Sequence, residues 1–293
     1  MNLPKIASIS KKIVVACVGL FLLLFLLVHL GINLCLLRPD DGAWYIAASN
    51  FMGTNYIVKV FEVVLFAVLF IHIILTIALQ IQNWKARPVR YSQPSRSKTS
   101  AGSKTMIWTG GLILCFLVIH FINFYFVKIG LVEGKYMIHT EELVTPELQK
   151  EIMDFSQGKL SEEEGMAVQA KIEKINTVIN KAESENLYSE DMKWIRELTA
   201  ADVESLEGIV EGVEPDFYHM SYDLFKNKAY SIIYILSFIF LAIHLVHAMQ
   251  SAFQTLGLNH NKYNKFIEGF SWIYAIAIAI GFTIIPVYIM FFV

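Results

Sequence analysis

The chain has 293 residues, of which 55% are apolar and only 17% are charged, and its mean hydropathy is +0.50. This balance excludes an ordinary soluble globular protein and is typical of a chain that belongs in a bilayer. The formal net charge of −2 says little alone, because acidic and basic residues are concentrated in different segments. The three cysteines (Cys17, Cys35 and Cys115) lie within or beside apolar runs, where a structural disulfide is not expected.

Five segments are long and apolar enough to cross a hydrocarbon core of roughly 30 Å, which takes about 20 helical residues. They run approximately over 12–37, 56–82, 106–129, 229–255 and 266–292. The first segment follows Lys11 and Lys12 and has no small-residue cleavage site, so it is expected to be a retained span and not a signal peptide. The fold class is therefore predicted to be an all-α integral membrane protein built on a bundle of five transmembrane helices.

The predicted organisation has three parts: helices I–III in residues 1–129, an extramembrane insertion in 130–228, and helices IV–V in 229–293. Basic residues cluster in the N-terminus, in the loop after the second span and in the turn after the fourth. They are Lys5, Lys11, Lys12, Lys85, Arg87, Arg90, Arg96, Lys98, Lys104, Lys262 and Lys265. The positive-inside rule then places the N-terminus in the cytoplasm and the C-terminus outside a cell inner (cytoplasmic) membrane.

The insertion contains 22 acidic and 10 basic residues, a net charge of −12, and is expected outside the cytoplasm. Ser161 and Glu164 form a capping-box pattern, which predicts a helix. Apolar residues follow at helical spacing, namely Val168, Ile172, Ile175 and Ile179. Ser189, before Trp194 and Ile195, and Thr199 are further N-cap candidates. The sequence predicts a helical insertion that is either a lid or docking surface or a solvated helical hairpin, and the hairpin is favoured.

Five of the eight histidines lie in the apolar spans, where a polar imidazole is costly unless it has a partner. They are His29, His72, His120, His244 and His247. With a rise of about 1.5 Å per residue, His29 and His120 lie roughly 25 and 21 Å above the inner ends of their spans. His72 and His244 lie roughly 15 and 16 Å above theirs. Four of the histidines thus form two layers, and each layer draws on two different helices.

Two layers of paired histidines indicate two haems b, because a pair of imidazoles on different helices can clamp a macrocycle from both faces. A zinc site would instead gather its ligands at one depth. His247 lies one helical turn beyond His244, so from spacing alone either could be the ligand. His139, His219 and His260 lie in polar loops and are assigned no chemistry. The chain has no Gly-rich phosphate loop or nucleophile elbow, so flavin or substrate chemistry would belong to another subunit.

Several motifs carry a resemblance to a known family. They are Val28-His29-Leu30 with Asn33, Ile71-His72, Asn83 to Pro88, Val118 to Phe121, and above all His244 to Gly257. In these features the chain resembles the di-haem cytochrome b subunits of succinate:quinone oxidoreductases (succinate dehydrogenase or fumarate reductase), in particular the single-chain, five-helix cytochrome b558 type. The resemblance covers the membrane part, about two thirds of the chain. Ala248 stands where the family usually has glycine, and the long acidic insertion has no counterpart in the family pattern.

The resemblance implies that His29 and His120 hold a distal haem b and that His72 and His244 hold a proximal one. It favours His244 over His247, because Gly257 follows His244 at the family's spacing. It also implies a respiratory-chain partnership with a flavoprotein subunit and an iron–sulfur subunit on the cytoplasmic side, linked to the tricarboxylic acid cycle. The substrate would be a membrane quinone, expected to be menaquinone, and no nucleic acid is an expected partner.

Glu62 lies roughly 30 Å above the inner end of its span and is a candidate quinone-side proton carrier, although an interfacial carboxylate in water is the favoured interpretation. Two other functions stay open. One is the cytochrome b subunit of another quinone-linked dehydrogenase, such as a formate dehydrogenase or hydrogenase. The other is a haem-free transporter or receptor that uses its histidines for proton or ligand binding.

Overall fold

A computed structural model describes residues 8–86, 101–189 and 191–293, and the structure is 78% helical. In chain order its helices and strands are α1 (Ser8–Leu34), α2 (Ala43–Thr54), α3 (Tyr56–Ala86), α4 (Ala101–His120), α5 (Phe126–Lys128), β1 (Tyr136–His139), α6 (Pro146–Ser156), α7 (Glu162–Glu185), β2 (Trp194–Leu198), α8 (Ala200–Ser205), β3 (Glu214–Pro215), α9 (Phe217–Lys226), α10 (Lys228–Thr255) and α11 (Asn264–Phe292). A π-helical segment, Phe121–Tyr125, joins α4 to α5.

The five predicted spans are confirmed, because five helical segments are long and apolar enough to cross a membrane. The chain is therefore a multi-pass membrane protein. The first helix is already present at Ser8, where the described residues start and before the predicted start of the span, and a 3₁₀ turn at Cys35–Leu37 completes that span. The short helix α2 was not predicted. It begins after Gly42, whose φ of 77° allows the sharp turn into the helix.

The chain divides into two compact units. The membrane unit comprises the described parts of Met1–Arg38, Gly42–Val118 and Phe225–Val293, and the insertion unit comprises Pro39–Asp41 and Ile119–Leu224. The boundary thus falls within the third span, and a short segment after α1 belongs to the insertion unit.

In the membrane unit, α1, α10 and α11 pack closely against one another, and α1 also packs against α3. The buried face of α11 recurs every three or four residues, as a helix packed on one side requires. Its members include Ser271, Tyr274, Ala275, Ile278, Phe282, Ile285 and Ile289. Among the described helices, α4 has no comparably close backbone neighbour. It reaches α10 through side chains, with the Phe116 ring centroid 5.0 Å from that of Tyr234 and 5.8 Å from that of Phe238.

The insertion unit has a three-stranded antiparallel sheet in the order β2-β1-β3. Helices α6, α7 and α8 contribute to the same apolar core. Its buried members are Ile138, Leu143, Leu148, Ile175, Val178, Ala182, Ile195, Leu198 and Leu206. The insertion is therefore a mixed helix and sheet structure, although a purely helical one was expected.

Two of the three predicted helix starts in the insertion are confirmed. Ser161 and Glu164 form the capping box of α7, and Thr199 caps α8. The N-cap prediction at Ser189 is wrong, because the residues that follow it form the strand β2. The Ser189 hydroxyl instead accepts the Trp194 N–H at 3.0 Å, which closes a turn before the strand. Local propensity was overridden there by pairing with β1, which the sequence between the two strands does not reveal.

Candidate functional site

His72 of α3 and His244 of α10 come together in the membrane unit. Their ring centroids are 6.4 Å apart and their planes are close to perpendicular, at 78°. An imidazole nitrogen binds a metal at about 2 Å, so two imidazoles on opposite sides of one metal ion have centroids roughly 6 Å apart. The Nδ1 atom of His72 is buried and has no hydrogen-bond partner among the described residues. The spacing of this pair and that buried nitrogen fit a bis-imidazole ligand set.

A threonine hydroxyl lies beside one nitrogen of the His244 ring. Thr109 Oγ1 lies 3.4 Å from His244 Nδ1 and also lies within hydrogen-bond distance of the carbonyl oxygens of Thr105 and Met106. When the hydroxyl donates its proton to one of these carbonyls, it accepts from Nδ1–H of the ring. That arrangement would leave the Nε2 lone pair of His244 available to a metal, as outer hydrogen bonds to ligand histidines commonly do.

Gly110 of α4 lies directly beside the same ring. A Cβ atom at this position would lie 3.6 Å from His244 Cε1, which is ordinary van der Waals contact. His247 is one turn further along α10 and is partly buried. The ring contact with His72 is made by His244, and the choice of His244 over His247 as a ligand stays a prediction.

Gly257 has a structural reason for its place thirteen residues after His244. It follows the end of α10 with a φ of 76°, a conformation that favours glycine. Its N–H donates to the carbonyl of Gln254, and the Leu258 N–H donates to that of Phe253, so this turn satisfies carbonyls at the end of α10.

The His29 side chain is held by contacts of a different kind from those of His244. The Asn33 amide donates to the His29 carbonyl at 2.8 Å, and its nitrogen lies 3.4 Å from His29 Nδ1. The ring stacks on Phe25 at 5.3 Å and contacts Phe282 at 5.6 Å. A donor at Nδ1 favours the tautomer protonated on Nε2, so binding a metal through Nε2 would require the Asn33 side chain to rotate.

His120 is the last residue of α4, directly before the π-helical segment, and its ring lies 5.3 Å from Phe124. Short π-helical insertions are frequent at functional sites. His29 belongs to the membrane unit and His120 to the insertion unit. Their pairing stays a prediction, as does the role of Glu62, which is partly buried on α3.

A network in the insertion unit was missed by the sequence reasoning, which assigned His219 no chemistry. Asp216 is fully buried, accepts the main-chain N–H of His219 at 3.1 Å and lies 2.7 Å from His219 Nδ1. His219 Nε2 in turn faces Glu197 Oε1 at 3.6 Å. The signal was an aspartate directly before an amphipathic stretch, which marks an N-cap three residues ahead of His219.

Lys135 extends this network. It forms ion pairs with Glu197, at 2.5 Å, and with Asp223. Burial alone would lower the pKa of Lys135, but the two carboxylates outweigh burial and raise that pKa above its usual range. Lys135 therefore stays charged and is neutralised within the unit.

Several basic residues that were predicted to mark the cytoplasmic side lie outside the described residues, namely Lys5, Arg87, Arg90, Arg96 and Lys98. Within the described ranges, no group of three or more His, Cys, Asp or Glu residues is arranged to hold a metal ion. No protein-family model, curated protein or solved structure matches the chain.

Proposed function

We propose that this chain is the di-haem cytochrome b membrane anchor of a succinate:quinone oxidoreductase, passing electrons between an iron–sulfur subunit and membrane quinone. The observation that carries the proposal is the His72–His244 pair, two imidazoles on separate membrane helices at the spacing of a shared metal ligand set. A lone polar histidine in lipid has many explanations, but two that face each other from different helices need a common one.

The residues of the membrane unit fit a haem on two counts. The donor set is a pair of imidazoles, the usual axial ligands of low-spin cytochromes b. His72 Nδ1 is a buried nitrogen without a partner among the described residues. A haem bound there would supply one-electron transfer.

The chain's own residues would set the conditions for that transfer. Thr109 would orient the His244 ring and hold its proton on Nδ1. Apolar helices around the pair exclude water, and a dry site weakens the screening of charge and tunes the potential of a bound metal. His29 and His120 would hold the second haem, which would extend the electron path along the membrane normal.

The proposed partners are a flavoprotein subunit and an iron–sulfur subunit on the cytoplasmic side, and the proposed quinone is menaquinone. His72 and His244 lie nearer the cytoplasmic ends of their helices under the topology inferred from basic residues. They would therefore hold the haem proximal to the iron–sulfur subunit. Glu62, near the opposite end of its span, would exchange protons with quinone.

Purification of the tagged chain from its native membrane tests this proposal. We expect a flavoprotein and an iron–sulfur protein to co-purify, and the complex to reduce a menaquinone analogue with succinate as donor or to run the reverse reaction with fumarate. His244→Ala should abolish this activity, whereas the matched variant His247→Ala should retain most of it. Co-purification with a formate dehydrogenase or hydrogenase instead would assign the chain to another quinone-linked enzyme. A haem-free chain that purifies alone would favour a transporter or receptor.

A further inference from the structure

The short helix α2 connects two membrane spans but is too short to cross the bilayer itself. It has 12 residues, which extend over about 18 Å, whereas the hydrocarbon core is about 30 Å thick. The first span ends at Leu37, and only Asn55 separates α2 from the start of α3. Both ends of α2 are therefore fastened to span ends on one side of the membrane, and the helix lies at the membrane surface.

One face of α2 is apolar and exposed. Trp44 and Phe51 are 60% and 57% exposed, and Ala47 is exposed between them. Residues three, four and seven positions apart share one face of a helix, so these three side chains form one apolar surface, the exposed face of α2. Tyr45 and Ile46, in contrast, are only 6% and 5% exposed, and α2 packs against α1 and α3.

The polar groups of α2 suit a nonpolar environment. None of its 12 residues is charged, although a helix that faces water usually carries charges on its exposed side. The Ser49 hydroxyl donates to the Ile46 carbonyl at 3.0 Å, and the Thr54 hydroxyl donates to the Asn50 carbonyl at 2.8 Å. Because both hydroxyls donate to their own helix, neither needs water as an acceptor.

The corner between α2 and α3 also has its backbone groups paired. Asn55 donates its main-chain N–H to the Phe51 carbonyl at 3.1 Å. Its side-chain oxygen accepts the N–H groups of Ile57 and Val58, at 2.9 and 3.3 Å. Unpaired N–H groups at a helix start are costly in lipid, and Asn55 pairs two of those of α3. The corner can therefore lie against acyl chains.

The exposed apolar surface runs on from α2 into the membrane span α3. After Phe51, the next exposed large apolar side chains are those of Tyr56, Ile57, Val60 and Phe61. Since α3 is a membrane span, the apolar side chains exposed on it are covered by lipid. Little chain lies between Phe51 and this lipid-covered surface.

Trp44 has the chemistry of a residue of the headgroup layer. Tryptophan favours that layer because its ring joins a large apolar body to a polar N–H. The Arg38 guanidinium lies 4.7 Å from the centroid of the Trp44 ring, which is a cation–π contact. At a membrane surface this pair keeps the ring in the apolar boundary and the charge at the level of the phosphates.

We propose that α2 is an interfacial helix whose exposed face is covered by lipid, with Trp44, Ala47 and Phe51 immersed between the headgroups and the acyl chains of the adjoining leaflet. The bilayer is the occupant of this face, because lipid covers the span that follows it and α2 offers no charge to a soluble partner. In this position α2 fixes the depth of the first two spans, since moving them outward would carry its apolar face into water. This inference does not depend on the proposed electron transfer.

Photo-cross-linking identifies what covers the exposed face. Ala47 is replaced by p-benzoylphenylalanine in the full chain, which is reconstituted in liposomes of phosphatidylcholine and phosphatidylglycerol and illuminated. We expect mass spectrometry to find a phospholipid adduct on the peptide that contains position 47. The yield should be comparable with that of the same replacement at Val63, which is 70% exposed within the span α3.

The same replacement at Glu211, an exposed residue of the insertion unit, is the matched control and should give no phospholipid adduct. A cross-link from position 47 to a second copy of the chain would overturn the proposal. So would the absence of an adduct at position 47 when Val63 gives one.

Trp44 fluorescence then measures depth in a chain whose other tryptophans are replaced by phenylalanine. Lipids brominated near the headgroup end of the acyl chain should quench Trp44 more than lipids brominated near the methyl end. Iodide in the water should quench Trp44 several-fold less than the tryptophan of a Glu211→Trp, Trp44→Phe control. Equal iodide quenching in the two chains, or no quenching of Trp44 by either brominated lipid, would overturn the proposal. The cross-linking variants retain every tryptophan, so that test does not depend on how the multiple replacement folds.

Discussion

Asp216 is a fully buried carboxylate on which two elements of the insertion unit converge, and Asp216→Ala tests that role. Its oxygens accept the Glu197 N–H at 3.2 Å and the His219 N–H at 3.1 Å, and lie 2.7 Å from His219 Nδ1. The first contact holds the bulged strand β2, and the second caps the start of α9. Alanine would leave all three donors without this acceptor.

The expected cost follows from the kind of each contact. A hydrogen bond to a charged group contributes about 1.5–3 kcal/mol, and loss of an N-cap aspartate costs about 1 kcal/mol. These contributions overlap, so the total for three hydrogen bonds to one buried carboxylate is smaller than their sum, about 3–5 kcal/mol. We expect Asp216→Ala to lower the local unfolding free energy by this amount, and Asp216→Asn, which retains one cap oxygen, to lower it by less.

Hydrogen exchange measured by mass spectrometry on the full chain in detergent reports this local stability. Amides of β2 and α9 should exchange on the order of 10²- to 10⁴-fold faster in Asp216→Ala. The exposed control Glu211→Ala should change exchange little. A loss below about 1 kcal/mol in Asp216→Ala would show that these hydrogen bonds do not hold the strand and helix together.

Gly281→Ala should be less stable than Gly269→Ala by about 1–3 kcal/mol, because an added Cβ at 281 would lie 2.7 Å from Leu30 Cδ2 and the Leu30 side chain would have to move. Thermal unfolding in detergent measures this difference. Gly269→Ala on the same helix is the matched control, since nothing lies within 4 Å of its added Cβ. Equal melting temperatures for the two variants would contradict the close contact at Gly281. A pH-dependent effect is expected at Asp202. Burial would raise the pKa of Asp202, but the Lys181 ammonium and the capping groups of Thr199 lower it below its usual value. The extra stability of wild type over Asp202→Asn should therefore be present above about pH 4 and disappear as the pH falls through the lowered pKa. Acid unfolding followed by Trp194 fluorescence measures this difference in a background where the other tryptophans are replaced by phenylalanine. A stability difference between wild type and Asp202→Asn that does not change with pH would refute the prediction.

The membrane spans and the His72–His244 meeting could be predicted because both follow from regular geometry. A span is a run of apolar residues of sufficient length, and depth along a helix is a count of residues multiplied by a fixed rise. Residues on different helices at one depth are candidates to meet, and the structure brings His72 and His244 together. The depth of each histidine is counted within its own helix and does not depend on the chain between the two helices.

The remaining features depend on contacts between segments that are distant in the sequence. Thr109 Oγ1 lies 3.4 Å from His244 Nδ1 although 135 positions separate the two residues, and no local pattern marks Thr109 for that contact. Ser189 is a good helix cap in isolation and predicts a helix where strand β2 lies, because the β1 partner that overrides it is far away in the chain. A β-bulge arises from the same pairing, since Tyr136 pairs with Leu198 but Ile138 pairs with Ile195, and no local pattern in the sequence marks it.

The proposed haem pairing is tested most directly by a dithionite-reduced minus oxidised spectrum of the purified full chain, with haem quantified per polypeptide. The account predicts two b-type haems per chain in wild type, falling towards one in His72→Ala. The exposed-loop variant His260→Ala should retain both. A folded, reconstituted chain with no haem, or a His72→Ala variant with an unchanged haem content, would contradict the account.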